Sequence, residues 1–168
     1  MVAVVIIAME TVFHGAVRVK GLLYLMWMVQ IIQNRNTPKE SLPFTNGGLE
    51  LQDVNTLMLR SKYANVQVGN IKTAEVELIN GRFIAKDADE LDMDTKYATI
   101  EAGAVKKLPI RSTNDEYEIE EVGTLQCRKN YGNLRITKLN SSLELDGTNA
   151  DLKIRNIAAG LEYIKINN

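Results

Sequence analysis

The sequence contains one cysteine and one histidine, Cys127 and His14, among 168 residues. A single thiol excludes an intrachain disulfide framework and a thiolate metal cluster. One imidazole leaves little for metal ligation or acid–base chemistry. No glycine-rich phosphate loop, HExxH or GxSxG motif occurs either. We therefore predict no cofactor, no metal site and no enzymatic activity.

An excess of one charge and long apolar runs are also missing. Lys and Arg number 20 against 21 Asp and Glu, which leaves a net charge of -1 and no surplus to neutralise phosphates, so nucleic acid is not a predicted partner. The richest apolar run, residues 22–32, falls short of the roughly 20 residues that span a bilayer. The apolar first ten residues lack the basic start and cleavage site of a secretory signal. The sequence thus predicts neither a transmembrane segment nor a signal peptide.

What the sequence does contain is a 17-residue repeat. In each unit, positions 1, 3, 10, 12 and 15 are apolar, thirty residues in all, where a composition of 45% hydrophobic residues would fill about half. The neighbouring positions 2, 4, 9 and 11 are mostly polar, and this period of two is typical of half-buried strands. The six units begin, with one extra residue before the last, at Leu57, Ala74, Leu91, Leu108, Leu125 and Leu143.

Each unit predicts two short strands, around positions 1–4 and 9–12, with a corner at positions 7 and 8, where Asn, Gly and Ala favour a tight bend. Such units bury their apolar edges only by stacking, at about 4.8 Å per coil, with equivalent strands parallel. We predict an all-β, single-domain, parallel β-solenoid with 17-residue coils over residues 1–168, with right-handed winding as the expected hand. An antiparallel sandwich ranks second because it does not require a constant register. Alternation of Tyr and Asn at position 7 leaves a 34-residue double unit open.

The regular repeats span residues 57–164, and partial coils are predicted at 7–22 and 42–56. In the first of these, Val17, Val19 and Leu22 take the inward positions. The irregular segment 23–41 has the length of a coil without its pattern. Three interpretations stay open for it: a degenerate coil, a short helix packed on the solenoid, or a frameshifted reading of an ordinary coil.

Two stacked rows of residues are candidate surface features. Tyr63, Tyr97 and Tyr131 recur at position 7 of every second coil, about 10 Å apart. Tyrosines in a row with polar neighbours can grip glycan rings or another protein, so this row is the candidate interaction surface; the alternative is that they cap the corners. At position 4, opposite charges lie on neighbouring coils, which predicts a ladder of cross-strand pairs: Arg60, Glu77, Asp94, Arg111, Arg128 and Asp146.

Other residues with chemical potential fit architecture better. Cys127 occupies an inward position and is predicted to be a core residue. His14 falls on a predicted corner. The acidic cluster 87–94 lacks the glycine of a calcium loop and is predicted to be a solvated face.

The pattern LxLxxxYGxLxIxxL resembles the repeat of a bacterial domain family named for adhesins, whose function is unknown and whose members read LxVxTxSGxVxVxxVxG. The match is clear over residues 57–164 and partial over 13–22 and 42–54. Tyrosine replaces the serine before glycine, and several corners carry Ala or Asp instead of Gly. The resemblance implies a β-solenoid of the bacterial cell envelope, or a secreted one, with no enzymatic residues to carry over.

Three functional hypotheses follow. The leading one is a non-catalytic interaction or scaffold module of the bacterial cell envelope, adhesin-like, whose partner is a surface protein or a glycan. The second is a self-assembling solenoid that stacks end to end, as bactofilin-type cytoskeletal proteins do. The third is a β-helical carbohydrate-active protein, which would need acidic side chains converging in a groove.

Overall fold

A computed structural model of the chain describes residues 17–20 and 42–167, with side chains from residue 47 onward. No helix occurs in these residues, and none of them forms a helix able to cross a membrane. The predicted corner residue His14 and the segment 23–41, with its three interpretations, lie outside the described residues. A single sheet takes its six strands in chain order: β1 (Val17–Lys20), β2 (Leu42–Leu51), β3 (Val54–Val68), β4 (Ile71–Ala85), β5 (Ala88–Ile157) and β6 (Tyr163–Asn167).

The strands from β2 to β5 stack in parallel with a constant offset. Leu57 of β3 pairs with Ala74 of β4, and Ala74 pairs with Leu91 of β5. β5 is 70 residues long because its ladder continues through several coils without a break. The chain is therefore a parallel β-solenoid of about seven turns with 17-residue spacing. One coil, rather than a pair of coils, is the repeating unit.

The core follows the predicted pattern closely. All but three of the thirty predicted inward residues are buried, Cys127 among them. The exceptions all lie in the last full coil, where Leu152 and Ile154 are half-buried and Ile157 is 53% exposed. The alternation also continues one step further than predicted, because position 5 is buried in five successive coils: Ser61, Leu78, Thr95, Ser112 and Lys129.

Position 7 forms the corner that divides each coil into a first limb, positions 1–5, and a second limb, positions 9–12. The backbone there takes positive φ angles between 52° and 63°. This confirms the predicted corner: β3 and β4 continue on both sides of it, but the pairing between coils skips position 7. The residues with this conformation are the six at position 7: Tyr63, Asn80, Tyr97, Asn114, Tyr131 and Asn149.

The direction of β1 corrects the prediction for the first partial coil. A coil of the solenoid would place Val17–Lys20 parallel to β2, but the strand runs antiparallel, with Val17 opposite Leu51 and Val19 opposite Leu49. Both directions satisfy the backbone groups of an edge strand. The antiparallel register still sets valines opposite leucines, so the apolar alternation alone does not distinguish the two directions. The rest of 7–22 lies outside the described residues.

Charged side chains on the faces form ladders between coils. At position 4, Arg60 pairs with Glu77 at 3.0 Å and Arg111 with Asp94 at 3.4 Å, as predicted. No such pair joins Arg128 to the neighbouring position-4 carboxylate within residues 47–167.

The acidic cluster 87–94 faces cations of the following coil. Lys106 lies 2.7 Å from Asp89, and Lys107 lies 2.7 Å from Glu90. The pKa of Lys107 is raised by its hydrogen bond to Glu90. The cluster is thus the predicted solvated face, neutralised across the coil ladder.

Candidate functional site

The structure places Tyr63, Tyr97 and Tyr131 at the same corner of alternate coils. Their exposed fractions are 60%, 57% and 52%, the largest among the exposed tyrosines of residues 47–167. The intervening corners carry Asn80 and Asn114. We call the six position-7 residues the tyrosine edge: Tyr63, Asn80, Tyr97, Asn114, Tyr131 and Asn149.

The backbone of the tyrosine edge is unfavourable for tyrosine. A side chain at φ near +55° brings its Cβ close to the following carbonyl oxygen, at a cost of roughly 1–2 kcal/mol, and only Gly, Asn and Asp visit this region routinely. Asn80 and Asn114 meet this demand, whereas Tyr63, Tyr97 and Tyr131 have φ angles of 56°, 55° and 63°. The edge therefore carries large exposed rings at three positions where its own alternate coils use a better residue.

The edge is also positively charged. Lys62 and Lys96 immediately precede two of the tyrosines, and both are exposed. Neither ammonium group forms an ion pair with another residue between 47 and 167. Positions 6 and 7 carry no carboxylate in any of the six coils. Two of the acidic residues beside the edge are paired, Glu77 with Arg60 and Glu116 with Arg135, whereas Asp146 and Asp151 flank its last corner without an ion pair to another residue of 47–167.

A group of buried polar side chains lies inside the same corner. Its centre is Asp115, which is 2% exposed and follows the corner residue Asn114. One carboxylate oxygen, Oδ2, accepts hydrogen bonds from the Thr95 hydroxyl at 2.6 Å and the Ser112 hydroxyl at 2.7 Å. The other oxygen, Oδ1, accepts one from the Ala98 backbone amide at 2.7 Å. We call this group, with Tyr117 and Lys129, the buried network.

Tyr117 and Lys129 complete the buried network. Because the Thr95 hydroxyl donates to Asp115, the Tyr117 hydroxyl 2.6 Å away is the donor to Thr95. The Lys129 ammonium donates to the Ser112 hydroxyl at 2.9 Å and to the backbone carbonyl of Asp115 at 2.8 Å. It also lies 5.1 Å from the centre of the Tyr117 ring. No buried side-chain nitrogen or oxygen between residues 47 and 167 lacks a hydrogen-bond partner.

Burial governs the protonation of this corner. Desolvation raises the pKa of Tyr117 well above its ordinary value, against the hydrogen bond with Thr95. Desolvation also lowers the pKa of Lys129, while the Asp115 carboxylate acts in the opposite direction. Burial raises the pKa of the Cys127 thiol to about 12. A thiol with that pKa is not a nucleophile at neutral pH, which fits the predicted core role of Cys127.

The buried network holds the tyrosine edge from below. Asp115 binds the amide of Ala98, the residue after Tyr97, and so joins two successive corners. On the next coil, Gly132 follows Tyr131 with φ at 86°, and a Cβ there would lie 2.2 Å from the Asp115 carbonyl oxygen. Close backbone packing and a carboxylate bridge thus fix the middle of the edge. The arrangement fixes the backbone that carries the central rings of the edge.

Sequence reasoning missed the buried network, and two signals for it exist. The alternation that marks positions 1 and 3 as inward also marks position 5, so a buried lysine was readable at Lys129. In every other coil, corner position 8 is occupied by alanine or glycine, so Asp115 is the only charged residue at this position. Either charge alone would be costly to bury. An inward lysine such as Lys129 therefore predicts a buried acidic partner on a neighbouring coil, and Asp115 is in the position to be that partner.

A shallow depression of about 610 Å³ lies on the second-limb face, beside Glu101, Glu118 and Glu120. Two carboxylates there are engaged within the coil ladder: Glu101 pairs with Arg82, and Asp87 accepts a hydrogen bond from the Ala104 amide at 2.8 Å. No group of His, Cys, Asp and Glu residues suited to a metal ion occurs in the part of the chain that the structure describes.

No protein-family model, no characterised protein and no solved structure matches this chain.

Proposed function

We propose that this protein is a non-catalytic interaction module that binds its partner through the tyrosine edge. One observation carries the proposal: three exposed tyrosines occupy corner positions with φ between 55° and 63°. Unfavourable backbone conformations of this kind cost about 1–3 kcal/mol each and cluster at binding sites. Exposed tyrosine is also enriched in binding surfaces, because its ring gives apolar area and its hydroxyl gives a polar handle.

The scaffold suits this function. A ladder of parallel coils repeats each side chain at about 4.8 Å, so the rings of alternate coils repeat at about 9.6 Å without depending on flexible loops. The buried network holds the central corners through Asp115 and Gly132. A row preorganised in this way loses little conformational entropy when a ligand binds.

The resemblance of the repeat to the adhesin-type bacterial family supports a place in the cell envelope or among secreted proteins. That part of the proposal rests on the repeat pattern alone. Exposure of the full chain on intact bacterial cells, measured by protease accessibility, tests it, and a protein found only in the cytoplasmic fraction would contradict it.

An array of glycans and peptides probed with the full chain tests the binding role. The matched control is the triple variant Y63N/Y97N/Y131N, which gives every corner the residue that its neighbouring coils already carry. Asparagine suits this backbone conformation, so the variant keeps the fold while losing the rings. We expect ligands captured by the wild-type chain to be lost by the variant. Equal capture by both proteins would show that the tyrosine edge is not the binding surface.

A second candidate function, self-association, is favoured by a different observation. Apart from the edge tyrosines, the exposed large hydrophobic residues between 47 and 167 all lie at the last coil: Ile157, Tyr163, Ile164 and Ile166. β6 pairs with Ser142–Asp146 of the first limb and with no residue of the second limb. The strand 151–155 is therefore an edge within the described residues, and such edges pair readily with other strands.

The residues on either side of Lys153 make this open edge complementary to itself, although Lys153 lies opposite Lys153 of the other copy. In an antiparallel pair centred on Lys153, Asp151 of one copy lies opposite Arg155 of the other, and Leu152 lies opposite Ile154. None of the three charged residues forms an ion pair with another residue of 47–167. The second limb of the first coil already accepts an antiparallel strand, β1. Such a contact is isologous and closes a two-fold dimer.

Sedimentation velocity with charge-swapped variants tests self-association. We expect concentration-dependent dimers for the wild-type chain. Arg155→Asp should yield monomers because it sets acid against acid, and D151R/R155D should restore the dimer with the charges exchanged. A wild-type chain that stays monomeric throughout, or a double swap that fails to restore association, would exclude this pairing.

A further inference from the structure

We infer that the tyrosine edge recognises an acidic, proline-rich peptide segment in the polyproline II conformation. This inference rests on the proposed function and specifies the partner of the same surface. Three features of the edge support it: the repeat distance of its rings, the asparagines between the rings, and two lysines that form no ion pair with another residue of 47–167.

The repeat distance of the edge matches that of a polyproline II helix. Rings on alternate coils are about 9.6 Å apart, twice the spacing of neighbouring strands. A polyproline II helix rises about 3.1 Å per residue with three residues per turn, so one side of it repeats about every 9.3 Å. An extended β-strand repeats one side about every 6.8 Å and loses register with the rings within one step. Over Tyr63, Tyr97 and Tyr131 the polyproline II mismatch totals only about 0.6 Å.

The alternation of side chains supplies what such a helix needs. Asparagine is much shorter than tyrosine, so Asn80 and Asn114 leave notches between neighbouring rings that a pyrrolidine ring can enter. Polyproline II has no internal hydrogen bonds, and its carbonyl groups are free to accept. The asparagine amides and tyrosine hydroxyls of the edge are donors at matching intervals. Aromatic side chains are the usual contacts of proline-rich segments in this conformation.

The charges of the edge select the acidic form of that peptide. Lys62 and Lys96 are separated by two coils, because Ile79 pairs with each of them in the ladder. Their spacing therefore equals that of the rings. Acidic residues three apart on a polyproline II helix recur at the same interval and on one side of the helix. In a peptide that repeats two prolines and one acidic residue, the acidic side chains can lie beside the lysines while a row of prolines lies over the tyrosines.

Calorimetric titration of the full chain with synthetic peptides tests the inference. The probe is an acetylated and amidated peptide of four Pro-Pro-Glu triplets. A Pro-Pro-Lys peptide reverses the charge, and a Gly-Ser-Glu peptide keeps the charge without the polyproline II conformation. We expect the first peptide to bind at least about tenfold more tightly than either control, a difference of about 1.4 kcal/mol.

Two variants locate the binding. Y63N/Y97N/Y131N should abolish measurable binding while remaining folded by circular dichroism. K62Q/K96Q should keep binding but weaken it by about three- to tenfold and remove most of its salt dependence, since each exposed ion pair contributes little. Equal affinity for the Glu and Lys peptides, or unchanged affinity in the triple variant, would overturn the inference.

Glycan probes separate failure of the inference from failure of the proposed function. Cellohexaose and a hyaluronan octasaccharide are titrated in parallel as neutral and acidic linear glycans. Binding of a glycan but not of the Pro-Pro-Glu peptide, lost in the tyrosine variant, would overturn the inference and leave the tyrosine edge as the binding surface. Binding of neither class would overturn the inference, and the array comparison would then decide the proposed function by itself.

Discussion

Lys129 shows how a single coil departs from the repeat. Position 5 is filled in other coils by residues such as Leu78, which need no partner. Lys129 is 1% exposed and donates to the Ser112 hydroxyl and the Asp115 carbonyl oxygen. Taking an ammonium group out of water costs several kcal/mol unless an opposite charge and hydrogen bonds compensate. Lys129 and Asp115 are therefore expected to tolerate change together and not separately.

Removing either charge alone should destabilise the protein strongly. We expect Lys129→Leu and Asp115→Ala each to lower the free energy of unfolding by about 3–5 kcal/mol, because each leaves the remaining charge buried with its hydrogen bonds but without the opposite charge. The double variant copies the Leu78 and Ala98 of other coils, and it should be clearly more stable than the sum of the two losses predicts. Urea unfolding of the four proteins measures this coupling. Additive losses would show that the two residues do not act as a unit.

Cys127 makes the protein sensitive to alkaline pH. The unfolded thiol loses its proton above its ordinary pKa of 9.0, whereas the buried thiol keeps it until about pH 12. The unfolded state thus binds fewer protons in this window, and stability falls as the pH rises through it.

Cys127→Val, which copies Val76 at the equivalent position, removes this titration. At pH 7 the variant should lie within about 1.5 kcal/mol of the wild type, because the change nearly conserves volume. Between pH 9 and about pH 10.5 it should gain about 2 kcal/mol relative to wild type, at 1.36 kcal/mol per pH unit. Urea unfolding at the two pH values measures the difference. An unchanged difference would mean that the thiol is not buried as described.

At the scale of the element, two corners, at Gly81 and Gly132, depend on close backbone approach between neighbouring coils. Gly132 has φ at 86°, and an added Cβ would lie 2.2 Å from the Asp115 carbonyl oxygen that Lys129 also binds. The corner thus combines a left-handed backbone with a contact that only hydrogen fits.

Gly132→Ala is expected to cost at least about 1–2 kcal/mol from the backbone conformation alone, with a further loss from displacement of the Asp115 carbonyl. Gly160→Ala is the matched control, because nothing lies within 4 Å of its added Cβ. Thermal unfolding should place Gly132→Ala well below wild type and Gly160→Ala close to it. Similar midpoints for the two variants would contradict the close approach.

The elements were predictable to different degrees. The two limbs of each coil could be predicted from the alternation of apolar and polar residues, because apolar residues such as Leu57 and Leu59 mark the side chains that face the core. The corner followed from Asn80 and Asn114, which favour positive φ. The same conformation at Tyr63, Tyr97 and Tyr131 could not be predicted, because tyrosine rarely adopts a positive φ angle. The end of the inward pattern at position 5 was missed because Ser, Thr and Lys are ordinarily surface residues.

At the scale of the whole molecule, the solenoid was predictable because each coil repeats the same information. A 17-residue period, read six times, determines stacking and parallel register without any long-range guess. β1 was not predictable, since Val17 and Val19 fit the core in either strand direction. The location of the tyrosine row followed from the repeat. The positive charge beside it could not be predicted, because only the structure shows that Lys62 and Lys96 form no ion pair with another residue of 47–167.

Urea unfolding of Y63N/Y97N/Y131N against wild type tests most directly whether the edge tyrosines serve binding and not architecture. Asparagine already occupies the same conformation in alternate coils and keeps only part of the backbone cost. The account therefore predicts an unchanged dependence of the unfolding free energy on urea concentration and, summed over the three positions, a free energy of unfolding raised by about 1–3 kcal/mol. A fall of about 1 kcal/mol or more would show that the rings hold the corners together, and the tyrosine edge would then be part of the structure and not a surface kept for a partner.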